Sequence, residues 1–351
     1  MNQRRFAAGL PVLLLSNVDP AWAPHERDES VREAHRLGSA LEEMGHPATL
    51  LLVTDANLDA KLKAFHPEDY IVLNWCEELP GVPHGEALVA EILESHGFAF
   101  TGSDSRALTL SYDKRRVKTL LADNSIPTPR WQVYESPEVD GWDCFPAIVK
   151  PVHEHCSIGI SQDSVVLTLD ELHQRVRFVL DTFRQPALVE DFIDGREFRV
   201  ALWGSDPPDP LPVVEMAYPA FHDIRERLCT YDSKFVPGSR PYELIETLLP
   251  APLPEDVCQR LCDTAAAGYS VVGCRDYGRI DLRLRDGVFY VLDVNPNPDI
   301  TIDASMACAA ELAGFSYGAL GSCLVALASL RHPRLRSYGL GQLHALMNDR
   351  P

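Results

Sequence analysis

Asp281, Asp293 and Asn295 fall in one stretch, Gly278-Arg-Ile-Asp-Leu-Arg-Leu-Arg-Asp-Gly-Val-Phe-Tyr-Val-Leu-Asp-Val-Asn295. Two carboxylates and an amide oxygen suit Mg2+, which takes such ligands together with phosphate oxygens and water. Whether they converge depends on strand geometry. Ile280, Leu282 and Leu284 alternate with Arg279, Asp281 and Arg283, the period of a strand with one buried face. Asp293 and Asn295 are two apart and share a face of the following strand. A two-residue Asp286-Gly287 turn pairs Arg285 with Val288, puts Asp281 opposite Leu292 and separates it from Asp293. A three-residue Arg285-Asp286-Gly287 loop, with Gly287 left-handed, pairs Leu284 with Val288. Asp281 then lies opposite Val291, on the face of Asp293 and Asn295, and Arg279 lies opposite Asp293. One residue of register separates a cation site from none. An ordinary solvent-facing hairpin carries the same alternation. The expectation of a site rests on the three-residue loop.

The elements that must position this hairpin follow from periodicity. Residues 11–110 alternate strands and helices, which implies a parallel α/β layer. Val12–Leu15 reads as a buried strand, and Ser30 with Glu33 as a capping box opening a helix that Gly45 ends. Strands are expected at 48–53, 70–73 and 98–100, and a helix at 85–96. A basic helix follows over 111–127. Strands at 147–150 and 188–193 flank a helix at 169–183 with Thr168 and Glu171 as a capping box. Strands at 198–202 and 213–217 come next, with a Pro-rich loop at 206–212. Residues 219–250 lack periodicity and read as a long loop, the kind that covers substrates. A helix at 255–272, the hairpin, and helices near 304–313 and 316–330 complete the chain.

Composition narrows the partners. The chain has 351 residues, 46% of them apolar, which favours several packed domains. Its net charge of −19 argues against a nucleic-acid partner. No apolar run is long enough to span a membrane. The start at Met1–Gly9, followed by Leu10–Leu15, mimics a signal peptide but lacks a cleavage site. Nine cysteines without a Cys-x-x-Cys pair read as reduced thiols of a cytoplasmic protein. His153 and His155 flank Glu154 without the partners a zinc site needs.

In motif order over about 101–330, the sequence resembles the ATP-grasp superfamily and its D-alanine–D-alanine ligase branch. The resemblance implies an N-terminal α/β domain at 1–108, a central ATP-grasp subdomain at 109–195 and a C-terminal subdomain carrying the metal site at 196–345. It implies ATP and Mg2+ (or Mn2+) as cofactors, amino-acid-like carboxylate and amine substrates, and a homodimer. Asp113-Lys114 and Phe145-Pro-Ala-Ile-Val-Lys150 resemble the two phosphate lysines. His155-Cys156-Ser157-Ile-Gly159 is similar to the small-residue loop over the phosphates. Glu190, Asp191, Phe192 and Ile193 resemble the adenine hinge, and Glu197 the ribose ligand. Lys234 in Tyr231-Asp-Ser-Lys234 resembles the lysine at the γ-phosphate. Asp281, Asp293 and Asn295 match the metal ligands, and Arg279 the arginine beside the tetrahedral intermediate. Arg279, Lys234 and Ser157 are thereby the catalytic candidates.

The substrate side departs from the pattern. Asn295-Pro-Asn-Pro-Asp299-Ile-Thr301 replaces the branch's Asn-x-x-Pro-Gly-Met-Thr, and Asp299 adds a charge where the second substrate's carboxylate would sit. Cys156 stands for a serine, Phe235 for a tyrosine, and Asp293 for a glutamate. Asn74-Trp-Cys-Glu-Glu78 replaces a His-Gly-x-x-Gly-Glu-Asp stretch. Glu29 resembles the glutamate that grips the first amino group, and Ser305 the carboxylate-binding serine. The implied activity is an ADP-forming carboxylate–amine ligase with an acyl-phosphate intermediate and an acceptor other than D-alanine. An ATP-grasp kinase or a non-catalytic nucleotide-binding module shares the same nucleotide residues.

Overall fold

The computed structural model describes residues 9–205 and 207–348. Residues 1–8 of the signal-like start therefore lie outside the described residues, while its apolar run Leu10–Leu15 leads into a strand. The first layer runs β1 (Val12–Asn17), α1 (Pro24–Glu43), β2 (Ala48–Val53), α2 (Leu58–Leu62), β3 (Ile71–Trp75), α3 (Glu86–Ser95) and β4 (Ala99–Phe100). Its strands pair in parallel in the order β2-β1-β3-β4. Every residue of β1 is buried, as a strand covered on both faces requires. One expectation fails here. α1 opens at Pro24, where the fixed φ suits the first helical position, and the Ala23 N–H donates to Glu26 Oε2 at 2.8 Å. Ser30 is inside the helix, and its Oγ donates to the Asn17 carbonyl at 3.0 Å. Gly45 does follow the helix end at φ +88°.

The expected helix over 111–127 is the shorter α5 (Lys114–Asp123), and a separate helix, α4 (Ser105–Ser111), precedes it. Asp104 accepts the Ala107 N–H and Asp113 accepts the Arg116 N–H, so each helix has its own N-cap. Next come β5 (Trp131–Tyr134), β6 (Ala147–Pro151), β7 (Val165–Val166), α6 (Leu169–Phe183) and β8 (Ala187–Asp191). They form an antiparallel sheet ordered β5-β8-β6-β7. Thr168 caps α6 as expected, while Glu171 reaches the Leu167 N–H at 2.7 Å.

The third sheet is built from β9 (Arg196–Trp203), β10 (Asp209–Pro210), β11 (Val214–Ala217), β12 (Glu246–Leu248), β13 (Tyr277–Arg285) and β14 (Val288–Asn295). Its order is β12-β11-β9-β13-β14, with β10 against β9. The stretch read as a long loop at 219–250 holds α7 (Asp232–Phe235), α8 (Arg240–Leu244) and β12. α9 (Glu255–Val272) packs its Leu261, Ala265 and Tyr269 on Ile280, Leu282, Val291 and Val294 of the hairpin. The closing helices α10 (Ser305–Leu312), α11 (Tyr317–Ser329) and α12 (Arg336–Asn348) return to the first layer. There Leu320, Leu324 and Val325 of α11 share a core with Val12, Leu37 and Ile71. Among the described residues, no single helix is long and apolar enough to cross a membrane.

Candidate functional site

The hairpin brings the two aspartates together by a different route from the one expected. Arg285 pairs with Val288, so the turn has two residues, and Asp286 and Gly287 take φ of 52° and 78°. Both central residues are left-handed, as a tight hairpin turn favours. That register alone would turn Asp281 away from Asp293. A β-bulge between Asp281 and Leu282 corrects it: Leu282 pairs with Val291, and Asp281 pairs directly with Asp293. Leu292 is the extra residue, so Leu292 and Asp293 both line the cleft, while Val291 and Val294 stay in the core. Arg279 consequently lies opposite Asn295 rather than Asp293.

Asp281, Asp293 and Asn295 therefore share one wall of a cleft of about 680 Å3 between the second and third sheets. Arg279 donates to both oxygens of Asp281, at 2.7 and 3.0 Å. Asn295 Nδ2 donates to the Arg279 carbonyl at 3.3 Å. Burial pushes the Asp293 carboxyl up, but the charges of Lys114, Lys150 and Lys118 outweigh it and hold the group below its usual range. Among the described residues, no three His, Cys, Asp or Glu side chains form a metal site. The set depends on Asn295 as third donor. Two opposed carboxylates and an amide beside a lysine cluster fit a hard divalent cation.

The expected nucleotide residues line the same cleft: Lys114, Lys150, Ser157, Gly159's neighbours, Glu190, Asp191, Phe192, Ile193, Glu197 and Lys234. Gly159 itself has φ +77° and follows Cys156 and Ser157, which are also left-handed, at 53° and 61°. Three such residues in four make a tight loop, and Ser157 Oγ ties it to the Cys229 carbonyl at 3.1 Å. Lys114 Nζ donates to the Glu154 carbonyl on the loop's near side. Glu190 is buried between Lys150 and Lys118, each 2.6 Å away. Burial works against its charge, but the two lysines prevail and lower its pKa. Glu197 Oε2 accepts from Arg283 Nε and Nη2 at 2.9 and 2.6 Å and from the Tyr218 hydroxyl at 2.8 Å. Arg285 pairs with Asp191.

Lys234 sits beside Arg199 and Arg279, and burial together with those charges lowers its pKa. Phe235 is half exposed at the cleft edge. Asp299 and Ser305 line the cleft, with the Asp299 oxygens accepting the Thr301 N–H and hydroxyl at 2.8 Å each. Glu29 does not join them: it is exposed on α1 and outside the cleft lining. Sequence reasoning missed Lys118, Arg199, Arg283, Glu77 and Glu86. Arg199 was within reach, because it stands two residues from Glu197 and so shares its strand face; it pairs across the sheet with Asp281.

Comparison with known proteins gives this geometry a relation. The family model described as the D-ala D-ala ligase C-terminus matches residues 125–326. The uncharacterized protein y4sG of Sinorhizobium fredii is 33% identical over 309 residues, 86% of this chain and 88% of that protein. The D-alanine–D-alanine ligase of Pseudothermotoga lettingae is 28% identical over 302 residues, 86% of this chain and 94% of the other. The crystal structure of the Bacillus anthracis D-alanine–D-alanine ligase complexed with ATP superposes with a TM-score of 0.71 at 20% identity. It covers 94% of this chain and 99% of that one. The three-sheet fold is thus that of an ATP-grasp protein, and the chain belongs to the D-alanine–D-alanine ligase family.

Proposed function

We propose that the protein is an ADP-forming ligase that joins a carboxylate to an amine through an acyl-phosphate, with an acceptor other than D-alanine. The direct opposition of Asp281 and Asp293, with Asn295 beside them and Lys150 and Lys234 in one cleft, carries this reading. Glu190 and the backbone of Asp191 to Ile193 hold the adenine, and Glu197 the ribose. Lys114 and Lys150 neutralise the phosphates under the Cys156–Gly159 loop. Asp281, Asp293 and Asn295 hold Mg2+ or Mn2+, which when bound offsets phosphate charge. Phosphoryl transfer depends mainly on such positioning and neutralisation.

The substrate carboxylate attacks the γ-phosphate near Lys234. The amine then attacks the acyl carbon and phosphate leaves, while Arg279 stabilises the oxyanion. Excluding water protects the acyl-phosphate. α7 and α8, which carry Lys234 and Tyr242 to the cleft, are placed to do so. The test is ADP release with a panel of D- and L-amino acids, hydroxy acids and small amines. Release that needs both a carboxylate and an amine supports the ligase. A stable phosphorylated product without amine would indicate a kinase, and stimulation by D-alanine alone would refute the altered acceptor. Lys150→Ala abolishes turnover if the cleft is catalytic.

A further inference from the structure

The cleft is polarised along its length. The lysines 114 and 150 lie at the nucleotide end, and Arg199, Lys234 and Arg279 gather around the reacting centre. Beyond Cys156 the sign changes. Cys156 feels Lys234 and Arg279 on one side and Glu77 and Glu86 on the other. Past it, Glu77, Glu86, Asp299 and Asp303 line the wall. The charges that bear on Glu77 are those of Asp299 and Glu78, and the charge that bears on Glu86 is that of Glu77. Like charges so placed repel, and among the described residues no cation bears on Glu77 or Glu86.

A second observation points to an occupant. Asn74, at the end of β3, is only 3% exposed, yet neither its Nδ2 nor its Oδ1 has a hydrogen-bond partner. A buried amide without a partner is uncommon in folded proteins. Asn74 lines a side cavity of about 10 Å3 whose other walls include Glu77, Glu86, Tyr277 and Asn297. That volume accommodates about one water molecule, and an ammonium group is of similar size. The far wall is braced. The Asn297 side chain hydrogen-bonds Glu86, and its Oδ1 accepts the Ser103 N–H at 2.9 Å.

We propose that this acidic end, formed by Glu77, Glu86 and Asp299 with the Asn74 carbonyl oxygen behind them, binds a second ammonium group of the substrate. The substrate class is therefore a diamine or diamino acid, one amino group reacting and the other held. The inference rests on the ligase reading and names its amine. The protonation of the empty site agrees with it. Glu77 is accessible from the cleft but enclosed by protein elsewhere, and burial with the Asp299 and Glu78 charges pushes its carboxyl up to about 7. Burial and Glu77 push Glu86 up to about 8, against the Asn297 hydrogen bond. A carboxyl pair held partly protonated is a site lacking its counter-ion.

Calorimetry on the full chain with Mg-ADP compares 1,4-diaminobutane with 1-aminobutane, which differ by one ammonium. The diamine should bind at least tenfold more tightly, and Glu77→Gln and Glu86→Gln should each remove most of that advantage. Asn74→Leu should weaken the diamine without affecting the monoamine. Melting temperature and ATP affinity serve as controls for folding. Equal binding of the two amines, or a diamine preference unchanged in both glutamine variants, overturns the inference. ADP release is measured separately with each amine plus the carboxylate panel. Charge-selective binding without ADP release would sink the ligase reading alone, and ADP release without charge selectivity would sink only the diamine assignment.

Discussion

Replacing Lys118 by methionine tests the buried charges that underlie the nucleotide end. Lys118 is 2% exposed and Glu190 1%. The lysine lies 2.6 Å from Glu190 and donates to Thr128 Oγ1 at 2.8 Å and to the Val291 carbonyl at 3.2 Å. It thus joins α5, the end of β8 and the bulged strand β14. Breaking a buried ion pair by removing one partner costs about 3–5 kcal/mol. Glu190 keeps Lys150, so the lower end, about 3 kcal/mol, is expected. At about 2–4 °C per kcal/mol for domains of 150–250 residues, the melting temperature should fall by about 6–12 °C. Lys150, left alone to balance Glu190, should also hold phosphate less well, with ATP affinity falling about tenfold, or roughly 1.4 kcal/mol. Scanning calorimetry gives the first quantity and ATP titration the second. Adding Glu190→Gln should restore part of the lost stability, because the stranded charge is then gone. A Lys118→Met protein that melts within about 2 °C of its parent, or a double variant less stable than the single one, would refute the reasoning.

Gly195→Ala should cost about 3 kcal/mol or more, because its Cβ would lie 1.9 Å from the Leu284 carbonyl oxygen and neither backbone can yield; urea denaturation measures it. Deleting Leu292 straightens the strand but keeps Asp281 opposite Asp293 and Arg279 opposite Asn295, so metal-dependent ATP turnover should survive; its loss in a chain still folded by circular dichroism would refute the assignment of Leu292 as the extra residue. Diamine affinity should rise from pH 6 to 9 with proton release, as Glu77 near 7 and Glu86 near 8 lose their protons. Asp299 and Glu78 also face this pair, as do Tyr112, Tyr277 and Cys156, which burial keeps protonated. Calorimetry in buffers of different ionisation enthalpy reads the released proton. In the free protein the two raised carboxyls stabilise the fold below the ordinary carboxylate range. That contribution is lost progressively as pH rises from about 4.5 to about 8, so melting temperature should decline across that window and recover on adding diamine.

The sequence carried the strand and helix order well where period and caps agree. α6, with its Thr168 cap, and α9, opening after Pro254, fall within a residue of expectation. It failed where local signals competed. Ser30 and Glu33 spell a capping box, but Pro24 had already started the helix about two turns earlier. The helix over 111–127 hid Asp113 as a cap, since aspartate in a basic run also reads as an ion-pair partner. At the site, strand parity sufficed to group Asp293 with Asn295. The bulge at Leu292 has no glycine to announce it, so the turn and the register could not both be inferred. Lys118, Glu77 and Glu86 were invisible for a different reason. Their roles come from burial and from neighbours distant in the chain, such as Val291 for Lys118 and Asn297 for Glu86.

The extra residue at Leu292 decouples the two ends of the hairpin. Outward of it, side chains obey the parity set by Asp286 and Gly287; inward of it, the parity is inverted and indexed by pairing of β13 with β9. A relative that lacks this residue, with the same tip and a regular second strand, would present its donors to the same side. Loss of Leu292 alone therefore leaves the donors facing the cleft, whereas a one-residue change inward of it, between Asp293 and Asn295, marks a chain that has given up the chemistry.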